Sequence, residues 1–301
     1  MNSYPRWADA FASAFANNQH VATALLAYAA GDAFGVFYEF LPRSSEPIES
    51  KLFEKKGWPY GGVSDDTLLS LLTIQALAEQ SPQDGAQKFL SLLHENIPNL
   101  RGLGPTTRTA LGLPVRSDER GEIGNTNGAI MRTALVGLYF DPENAHERRL
   151  WVESLVKTTH QGDRAHYCAQ LCAAIFSRNL LTIEETIRLE LSQLCNVPPD
   201  VAAIMETLET WNPPANGISL DPLETLLAVL WVVSRSKNFE DTYSLACSLG
   251  GDTDTVAALA GALFAVRAKD SSRFFEIDWL EEVRWSEIAA GVNLAAKVRR
   301  R

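Results

Sequence analysis

Histidine and cysteine are scarce in this chain of 301 residues, which contains five histidines and four cysteines. Cys168 and Cys172 are four residues apart, so they would share one face of a helix. That spacing is wrong for a disulfide framework, and two thiols are too few ligands for a zinc site. We therefore expect all the cysteines, including Cys195 and Cys247, to be reduced and mostly buried, as in a cytoplasmic protein.

The chain also lacks long hydrophobic runs and an excess of basic residues. Its longest purely apolar stretch, residues 226–233, has eight residues, whereas a membrane-spanning helix needs about 20. Residues 1–7 do not follow the basic-then-apolar pattern of a signal peptide. A formal net charge of −10 and a pI near 5.1 argue against binding to a nucleic-acid backbone. We expect neither a membrane nor a nucleic acid as a partner.

Apolar residues recur mostly at helical spacing. Residues 223–233 are apolar on all sides, which predicts a helix at the centre of the core. Residues 254–268 are rich in alanine and glycine, which allows a neighbouring backbone to approach closely. Only residues 36–38 suggest an extended segment. Further helices are predicted at residues 66–80, 127–139, 142–157, 163–178 and, opened by a proline pair, 198–211.

Irregular segments separate these helices. Loops are predicted at residues 42–62, 96–105, 117–126 and 212–222. No linker with a shift in composition and no repeat of fixed period divides the chain. The sequence therefore predicts an all-α protein in which residues 1–301 form a single domain, compact from about residue 5 to about residue 298.

Two short acidic motifs are the most informative feature of the sequence. Each places two carboxylates and at least one hydroxyl within about one helical turn, and neither contains histidine or cysteine. Neighbouring carboxylates repel one another, and burial of an unpaired one is costly, so a bound cation is the simplest relief. Ligands that are all oxygen favour Mg²⁺, Mn²⁺ or Ca²⁺ over zinc or copper. The motifs are Ser64-Asp65-Asp66-Thr67 and Gly250-Gly251-Asp252-Thr253-Asp254-Thr255.

Helix capping is the simpler interpretation of either acidic motif taken alone, because Ser, Thr and Asp are favoured where a helix begins. Capping requires one oxygen, however, and each motif supplies several. Together the motifs offer four carboxylates, enough for two metal ions that share bridging ligands. Such paired ions lie about 3.5–4 Å apart and can hold the oxygens of a substrate while they activate water. The two motifs together therefore favour a binuclear metal site.

A third segment, residues 31–35, places Asp32 between two glycines, with Glu39 shortly after it. We interpret Asp32 as an acid satisfied by backbone donors and the glycines as packing or turn residues. Glu39 lies between Tyr38 and Phe40. A carboxyl group among apolar neighbours can have a raised pKa and act as a general acid or base.

Two further segments open predicted helices. Residues 124–132 form a glycine- and asparagine-rich loop that could present backbone N–H groups to a pyrophosphate. The alternative there is a capped loop with Arg132 in an ion pair. His160 lies just before a helix and is a candidate only because of its neighbours. We interpret the other histidines as structural: His20, His94, His146 and His166.

Taken in order, these segments resemble the motifs of the ADP-ribosylglycohydrolase family, which comprises the dinitrogenase-reductase-activating glycohydrolases and the ADP-ribosyl-acceptor hydrolases. The last motif of that family, Gly-Gly-Asp-Thr-Asp-Thr-x-Ala-x-x-Ala-Gly-Ala, is reproduced at residues 250–262. The matches extend from residue 31 to residue 262, most of the chain. The others are Gly-Asp-Ala-x-Gly at residues 31–35 followed by Glu39, the Thr-Asp-Asp-Thr motif at residues 64–67, Asn-Gly-Ala-x-Met-Arg at residues 127–132 and Thr-His at residues 159–160.

The resemblance implies an orthogonal multi-helix fold with a binuclear Mg²⁺ or Mn²⁺ centre at the floor of a cleft. Glu39 would lie at the mouth of that cleft, and the implied catalytic residues are Glu39, Asp65 and Asp254. The implied substrate-binding residues are Asn127, Gly128, Met131, His160 and Gly251. The implied metal ligands are Ser64, Asp65, Asp66, Asp252, Asp254 and Thr255.

Three positions depart from the family pattern. Ser64 replaces the commoner threonine and keeps the hydroxyl, so we expect coordination to survive. Thr126 replaces a frequent glycine, which makes the loop stiffer. Gly102 stands where some arginine-linkage hydrolases have an acid, which argues against close kinship with the nitrogenase-regulating enzymes.

The predicted activity is hydrolysis of the N- or O-glycosidic bond between C1 of the distal ribose of ADP-ribose and an acceptor, through an oxocarbenium-like transition state. The two metal ions would hold the ribose hydroxyls and activate water, and Glu39 or an aspartate of the second acidic motif would transfer the proton. The substrate would be an ADP-ribosylated protein or a small ADP-ribose conjugate. The acceptor is left open between arginine, serine, a nucleobase and an acetyl group.

Three alternatives use the same residues differently. An oxygen-rich metal centre could hydrolyse the pyrophosphate of a small ADP-ribose derivative. A non-catalytic relative could bind ADP-ribose alone, although the presence of all four aspartates favours an enzyme. A calcium-binding interaction module is disfavoured, since neither motif has the alternating ligands and central glycine of an EF-hand loop.

Overall fold

The computed structural model describes residues 4–177 and 181–301, and over these residues the protein contains helices and no strand. One isolated parallel bridge joins Ile218 to Gly251. The all-α prediction is confirmed. The α-helices are α1 (Ala12–Gly35), α2 (Asp65–Ala76), α3 (Pro82–Asn96), α4 (Pro105–Ala110), α5 (Gly128–Thr133), α6 (Ala145–Val156), α7 (Asp163–Phe176), α8 (Ile183–Gln193), α9 (Pro199–Ala202), α10 (Ile204–Thr210), α11 (Pro222–Arg235), α12 (Phe239–Ser248), α13 (Thr253–Arg267) and α14 (Ala289–Ala295).

Short 3-10 helices interrupt or replace parts of the predicted elements. The helix predicted at residues 127–139 is α5 followed by a 3-10 helix, Ala134–Tyr139. The helix predicted at residues 198–211 is divided into α9 and α10. The helix predicted at residues 163–178 is α7, and residue 178 lies outside the described residues. The other 3-10 helices are Arg6–Phe11, Ile97–Asn99, Ser117–Glu122, Pro142–Asn144, Ser271–Glu276, Asp278–Glu282 and Trp285–Glu287.

The prediction of an extended segment at residues 36–38 was wrong. Val36 has helical φ and ψ angles of −49° and −40°, and its N–H donates to the carbonyl of Asp32. Three apolar residues have no periodicity of their own, so the preceding helix continues into a turn. Residues 42–62 contain no helix, as predicted.

Contacts within the chain group it into two compact units. The first comprises the described part of Met1–Leu71, together with Pro213–Ser219 and Ala228–Lys297. The second comprises the described part of Leu72–Asn212, together with Leu220–Leu227 and Val298–Arg301. The prediction of a single domain stays a prediction.

Two helices in close contact, α1 and α13, form the centre of the first unit. A Cβ atom on Gly31 would lie 2.3 Å from the carbonyl oxygen of Ala257. A Cβ atom on Gly35 would lie 2.4 Å from the Cα atom of Asp254. A larger residue at either position would therefore force the two backbones apart. The contact places the Gly-Asp-Ala-x-Gly motif directly against the second acidic motif.

The second unit contains a helical core in which α3, α6 and α7 take part. A Cβ atom on Gly85 of α3 would lie 2.3 Å from the ring of Trp151, a fully buried residue of α6. Arg148, also on α6, forms a buried ion pair of 2.6 Å with Glu190. Pairing offsets the cost of burying both charges, and removal of either partner would leave the other unpaired.

The burial of the cysteines and of the apolar segment at residues 223–233 can be compared with the predictions. The four cysteines are free, with Cys195 exposed and the other three buried, which confirms the prediction of mostly buried thiols. Residues 223–233 lie within α11, and all of them are buried except Glu224, Trp231 and Val233, which are partly exposed, as expected of a helix in the core. Each helix in residues 4–177 and 181–301 is too short or too polar to cross a bilayer. The cytoplasmic location stays a prediction.

Candidate functional site

Asp32, near the end of α1, holds the beginning of α2 in place. Its fully buried carboxylate accepts hydrogen bonds from the backbone N–H groups of Ser64 at 2.9 Å and Thr67 at 3.0 Å, and from the Thr67 hydroxyl at 2.5 Å. Burial raises the pKa of Asp32 to about 6, against the lowering effect of these donors. The interpretation of Asp32 as an acid satisfied by backbone donors is confirmed. It caps α2 from another helix and so fixes the first acidic motif.

Backbone hydrogen bonds join the chain after Glu39 to the second acidic motif. The N–H of Phe40 donates to the carbonyl of Gly251 at 2.7 Å, and the N–H of Gly251 donates to the carbonyl of Leu41 at 2.9 Å. Gly251 has a φ of +73°, and a Cβ atom there would lie 2.1 Å from the carbonyl oxygen of Ile218, so only glycine fits. Its amide is used within the protein, and its contact with substrate stays a prediction.

Carboxylates from three distant segments converge in the first unit. Glu39, Asp252 and Asp254 each offer one ligand atom, and these atoms all lie within 4.8 Å of one another. The Thr255 hydroxyl donates a hydrogen bond to Asp66, which links the second acidic motif to the first. We name Glu39, Asp65, Asp66, Asp252 and Asp254 the carboxylate cluster.

Burial and mutual repulsion disfavour the charged form of the carboxylate cluster. Burial is the largest cause that raises the pKa of Asp65, followed by the charges of Asp32 and Glu39. Burial likewise raises the pKa of Asp66, with Asp32 and Asp65 as the next causes. The pKa of Asp254 is raised well above its usual range by burial and then by Glu39 and Asp66. The charged forms of Asp65, Asp66 and Asp254 are thus disfavoured by burial and by neighbouring acids, which is the condition that a divalent cation relieves.

Helix capping accounts for only part of the two acidic motifs. The Ser64 hydroxyl accepts from the N–H of Asp66 at 3.0 Å, which is a capping interaction. Asp252 occupies the N-cap position of α13, yet its side chain makes no capping hydrogen bond. The Oδ2 atom of Asp66 is buried without a hydrogen-bond partner. These oxygens fit a hard divalent ion such as Mg²⁺ or Mn²⁺, since no histidine or cysteine belongs to the group.

The hydroxyl-bearing residues predicted as metal ligands lie at the same place. Ser64 and Thr255 are buried beside Asp66, to which both are hydrogen-bonded. The structure therefore brings all six predicted ligands and Glu39 into one region of the first unit. Their coordination of a metal stays a prediction.

Lys55 is a residue of this region that the sequence analysis missed. Its ammonium nitrogen donates to Oε2 of Glu39 at 2.6 Å, and both side chains are partly buried, with 28% and 14% of their surface exposed. The sequence neighbours of Glu39 had suggested apolar surroundings, but the ammonium group of Lys55 also lies beside its carboxylate. Lys55 lies in the irregular segment of residues 42–62, where no periodicity indicates which way a side chain points.

His160 and its threonine neighbours form a buried network in the second unit. The Nε2 atom of His160 lies 3.0 Å from the Thr126 hydroxyl, and its Nδ1 atom lies 2.8 Å from the Thr159 hydroxyl. Thr126 in turn donates to the hydroxyl of Thr106 at 2.9 Å. Burial, and next the charge of Arg132, lowers the pKa of His160 well below its usual range, so the ring is neutral. We name His160, Thr106, Thr126, Thr159 and Arg132 the His160 network.

Arg132 is buried among neutral oxygens instead of carboxylates. It donates to the carbonyl of Leu155 and to the Thr159 hydroxyl, both at 2.9 Å, and its guanidinium lies 4.5 Å from the centre of the Phe89 ring. Burial lowers the pKa of Arg132 to about 9. Within the described residues, Arg132 donates to a carbonyl of α6 and to a hydroxyl of the following loop instead of forming an ion pair, so that alternative was wrong.

The other predicted substrate-binding residues also lie in the second unit. The side-chain amide of Asn127 donates to the Thr225 hydroxyl at 2.9 Å. A Cβ atom on Gly128 would lie 3.2 Å from the His160 ring, so the two residues pack together. Met131 is buried on α5. Contacts of Asn127, Gly128, Met131 and His160 with a substrate stay predictions.

The chain matches known proteins over most of its length. The family model for ADP-ribosylglycohydrolase matches residues 16–301. The ADP-ribosylarginine hydrolase Tri1 of Pseudomonas putida (strain GB-1) is 32% identical over 315 residues, which cover 95% of this chain and 80% of that protein. The protein of the same name from Serratia proteamaculans (strain 568) is 27% identical, with 80% of this chain and 70% of that protein covered.

A solved structure supports the same conclusion at the level of the fold. It is titled as an ADP-ribosylglycohydrolase-related protein complex, and it superposes with a TM-score of 0.71 and 26% sequence identity. The match covers 94% of this chain and 98% of that chain. The protein therefore belongs to the ADP-ribosylglycohydrolase family, as its motifs had predicted.

Proposed function

We propose that this protein is a metal-dependent hydrolase that releases ADP-ribose from an ADP-ribosylated partner, and that the acceptor is an arginine side chain. The observation that carries the proposal is the carboxylate cluster: Glu39, Asp252 and Asp254 offer ligand atoms within 4.8 Å of one another, and Asp65 and Asp66 lie near enough to feel the charges of these acids. The choice of arginine rests on the likeness to two proteins named ADP-ribosylarginine hydrolase.

Magnesium or manganese ions, when bound, supply Lewis-acid polarisation and fix the hydroxyls of the distal ribose. The chain contributes oxygen atoms that are already in position. Asp32 caps α2 and the contact between α1 and α13 fixes the second acidic motif, so little reorganisation is required. The residues that we expect to hold the two ions are Ser64, Asp65, Asp66, Asp252, Asp254 and Thr255, with Glu39 as an additional ligand while no substrate is bound.

Glu39 is the residue that we assign to proton transfer. It is half-buried, whereas the four aspartates of the carboxylate cluster are buried, so Glu39 is the acid that a substrate reaches. During hydrolysis, water adds to C1 of the ribose as the bond to the guanidine nitrogen breaks. The Glu39 carboxylate would accept the proton lost by that water and pass it to the departing guanidine, which leaves as guanidinium. Asp65 and Asp254 would act as ligands that hold the positively charged ions beside the ribose.

The test is a release assay with peptides that carry ADP-ribose on arginine or on serine. We expect free ADP-ribose from the arginine-linked peptide, and no release once a chelator removes the divalent ions. Release that continues in the chelator would contradict the metal requirement. Release from the serine-linked peptide alone would contradict the acceptor. Free ADP-ribose serves as a further substrate, since its conversion to AMP would identify a pyrophosphate hydrolase instead.

A further inference from the structure

An ion pair ties the half-buried acid of the carboxylate cluster to the loop at residues 42–62. Lys55 donates to one oxygen of Glu39, and Glu39 also has an oxygen within 4.8 Å of ligand atoms of Asp252 and Asp254. A cation held by Asp252, Asp254 and Glu39 would therefore share the Glu39 carboxylate with the ammonium group of Lys55. Like charges repel strongly at such distances when water is partly excluded.

The backbone at Glu39 is held by hydrogen bonds, so only its side chain can move between the Lys55 ammonium and a divalent ion. The N–H of Glu39 donates to the carbonyl of Gly35 at 3.1 Å, and the next residue, Phe40, is bonded to Gly251. Phe40 has a φ of +63°, a conformation that costs about 1–2 kcal/mol for a residue other than glycine. The chain accepts this strain in order to close the turn, and the turn keeps Glu39 beside the second acidic motif.

The loop that carries Lys55 is also anchored. The Leu52 side chain is buried, and the ring of Phe53 stacks on that of Phe37 with centroids 4.9 Å apart. The Trp58 indole N–H donates to the carbonyl of Gly62 at 3.2 Å, and the Lys55 ammonium lies 5.5 Å from the centre of the Trp58 ring. Trp58 offers Lys55 a second partner through a cation–π interaction when the Glu39 oxygen is taken.

We propose that Lys55 is a positioning residue that competes with the divalent ion for the carboxylate of Glu39. This inference rests on the proposed metal centre and goes beyond it. The carboxylate cluster therefore binds divalent ions less tightly than it would without the charge of Lys55. Metal binding then releases Lys55 from Glu39 and moves it towards Trp58.

The experiment measures the dissociation constant for Mn²⁺ by electron paramagnetic resonance, without substrate, in the wild type and in Lys55→Met. Methionine keeps the length and removes the charge, so we expect Mn²⁺ to bind on the order of tenfold more tightly. Lys55→Arg keeps the charge and should bind as the wild type does. Lys51→Met is the matched control, because Lys51 belongs to the same loop but pairs with Glu49 at an exposed position.

A double-mutant cycle with Glu39→Gln shows whether the effect passes through Glu39. We expect Lys55→Met to change the Mn²⁺ affinity much less in the Glu39→Gln background than in the wild type. An unchanged or weaker affinity in Lys55→Met would overturn the inference while leaving the metal centre intact. An equal gain in Lys51→Met, or an undiminished gain without Glu39, would also overturn it. Absence of Mn²⁺ binding in every variant would contradict the proposed function as well.

Discussion

The carboxylate cluster and the His160 network are both buried and polar, but their electrostatic states differ. In the carboxylate cluster, the charges of neighbouring acids help to raise the pKa values of Asp65 and Asp66. In the His160 network, both ring nitrogens lie within hydrogen-bond distance of a hydroxyl. A polar network of that kind stabilises a fold. A bound cation would relieve the mutual repulsion among buried acids, and that difference separates a candidate ion site from a supporting structure.

The largest expected effect comes from Asp254→Asn, which removes one charge from the carboxylate cluster. We expect activity to fall at least about 10³-fold, since the substitution removes a negative charge and replaces one carboxylate oxygen with an amide nitrogen in a preorganised site. In chelator, the same variant should be more stable than the wild type by about 1 kcal/mol or more, because one source of repulsion is lost. Turnover and chemical unfolding measure the two effects.

Asp9→Asn is the control for that prediction, since Asp9 is an exposed acid on the first unit. It should leave both activity and stability as they are. If Asp254→Asn kept normal turnover with magnesium present, or if it unfolded the protein, the distinction between the two regions would fail.

The second prediction concerns the metal itself. Divalent ions at about 100 times their dissociation constant should raise the free energy of unfolding by about 2.7 kcal/mol for each ion bound. Thermal or denaturant unfolding with Mg²⁺, Mn²⁺ or chelator measures this gain. The gain should persist in His160→Asn and be much smaller in Asp254→Asn; the reverse pattern would contradict the location of the metal centre.

The third prediction concerns the His160 network. His160→Asn should lower the free energy of unfolding by about 2 kcal/mol, because the hydroxyls of Thr126 and Thr159 lose their buried partner. Mn²⁺ affinity should not change. An unfolding titration and the Mn²⁺ binding assay test both parts, and a large change in affinity would show that the two regions are coupled.

The fourth and smallest effect is a dependence of stability on pH. The pKa of His160 is lower in the folded protein than its ordinary 6.5, so its contribution is complete above that pH and is lost as the pH falls towards the folded value. Below about pH 6.5 the wild type should lose up to about 1.4 kcal/mol per pH unit from this group. The stability of the wild type should therefore fall relative to that of His160→Asn as the pH decreases, while the exposed His94→Asn should follow the wild type. Equal slopes in all three proteins would contradict a neutral His160.

The sequence predicted the helical class and the convergence of the acidic motifs, because each depended on a local pattern. The period of apolar residues indicates helices, and the twin carboxylates of Asp65-Asp66 and Asp252–Asp254 need a common partner. Gly31 and Gly35 were interpreted as packing or turn residues, and they do lie in close contact with Ala257 and Asp254.

Other features depend on contacts between segments that have no pattern of their own. The ion pair of Lys55 with Glu39 joins an irregular loop to a turn, and no spacing predicts it. The turn at residues 36–38 was mistaken for an extended segment, since three apolar residues fit either conformation. The neutral surroundings of Arg132 are set by carbonyls of α6, which only the folded chain brings there.

The most direct test of the central claim is anomalous X-ray scattering from crystals of the protein grown with Mn²⁺. The account predicts manganese within about 2.0–2.3 Å of oxygens from both acidic motifs, with Asp66, Asp252 and Asp254 among the ligands. Manganese bound elsewhere, or no anomalous signal at the carboxylate cluster at saturating concentration, would contradict the claim that these acids share divalent ions.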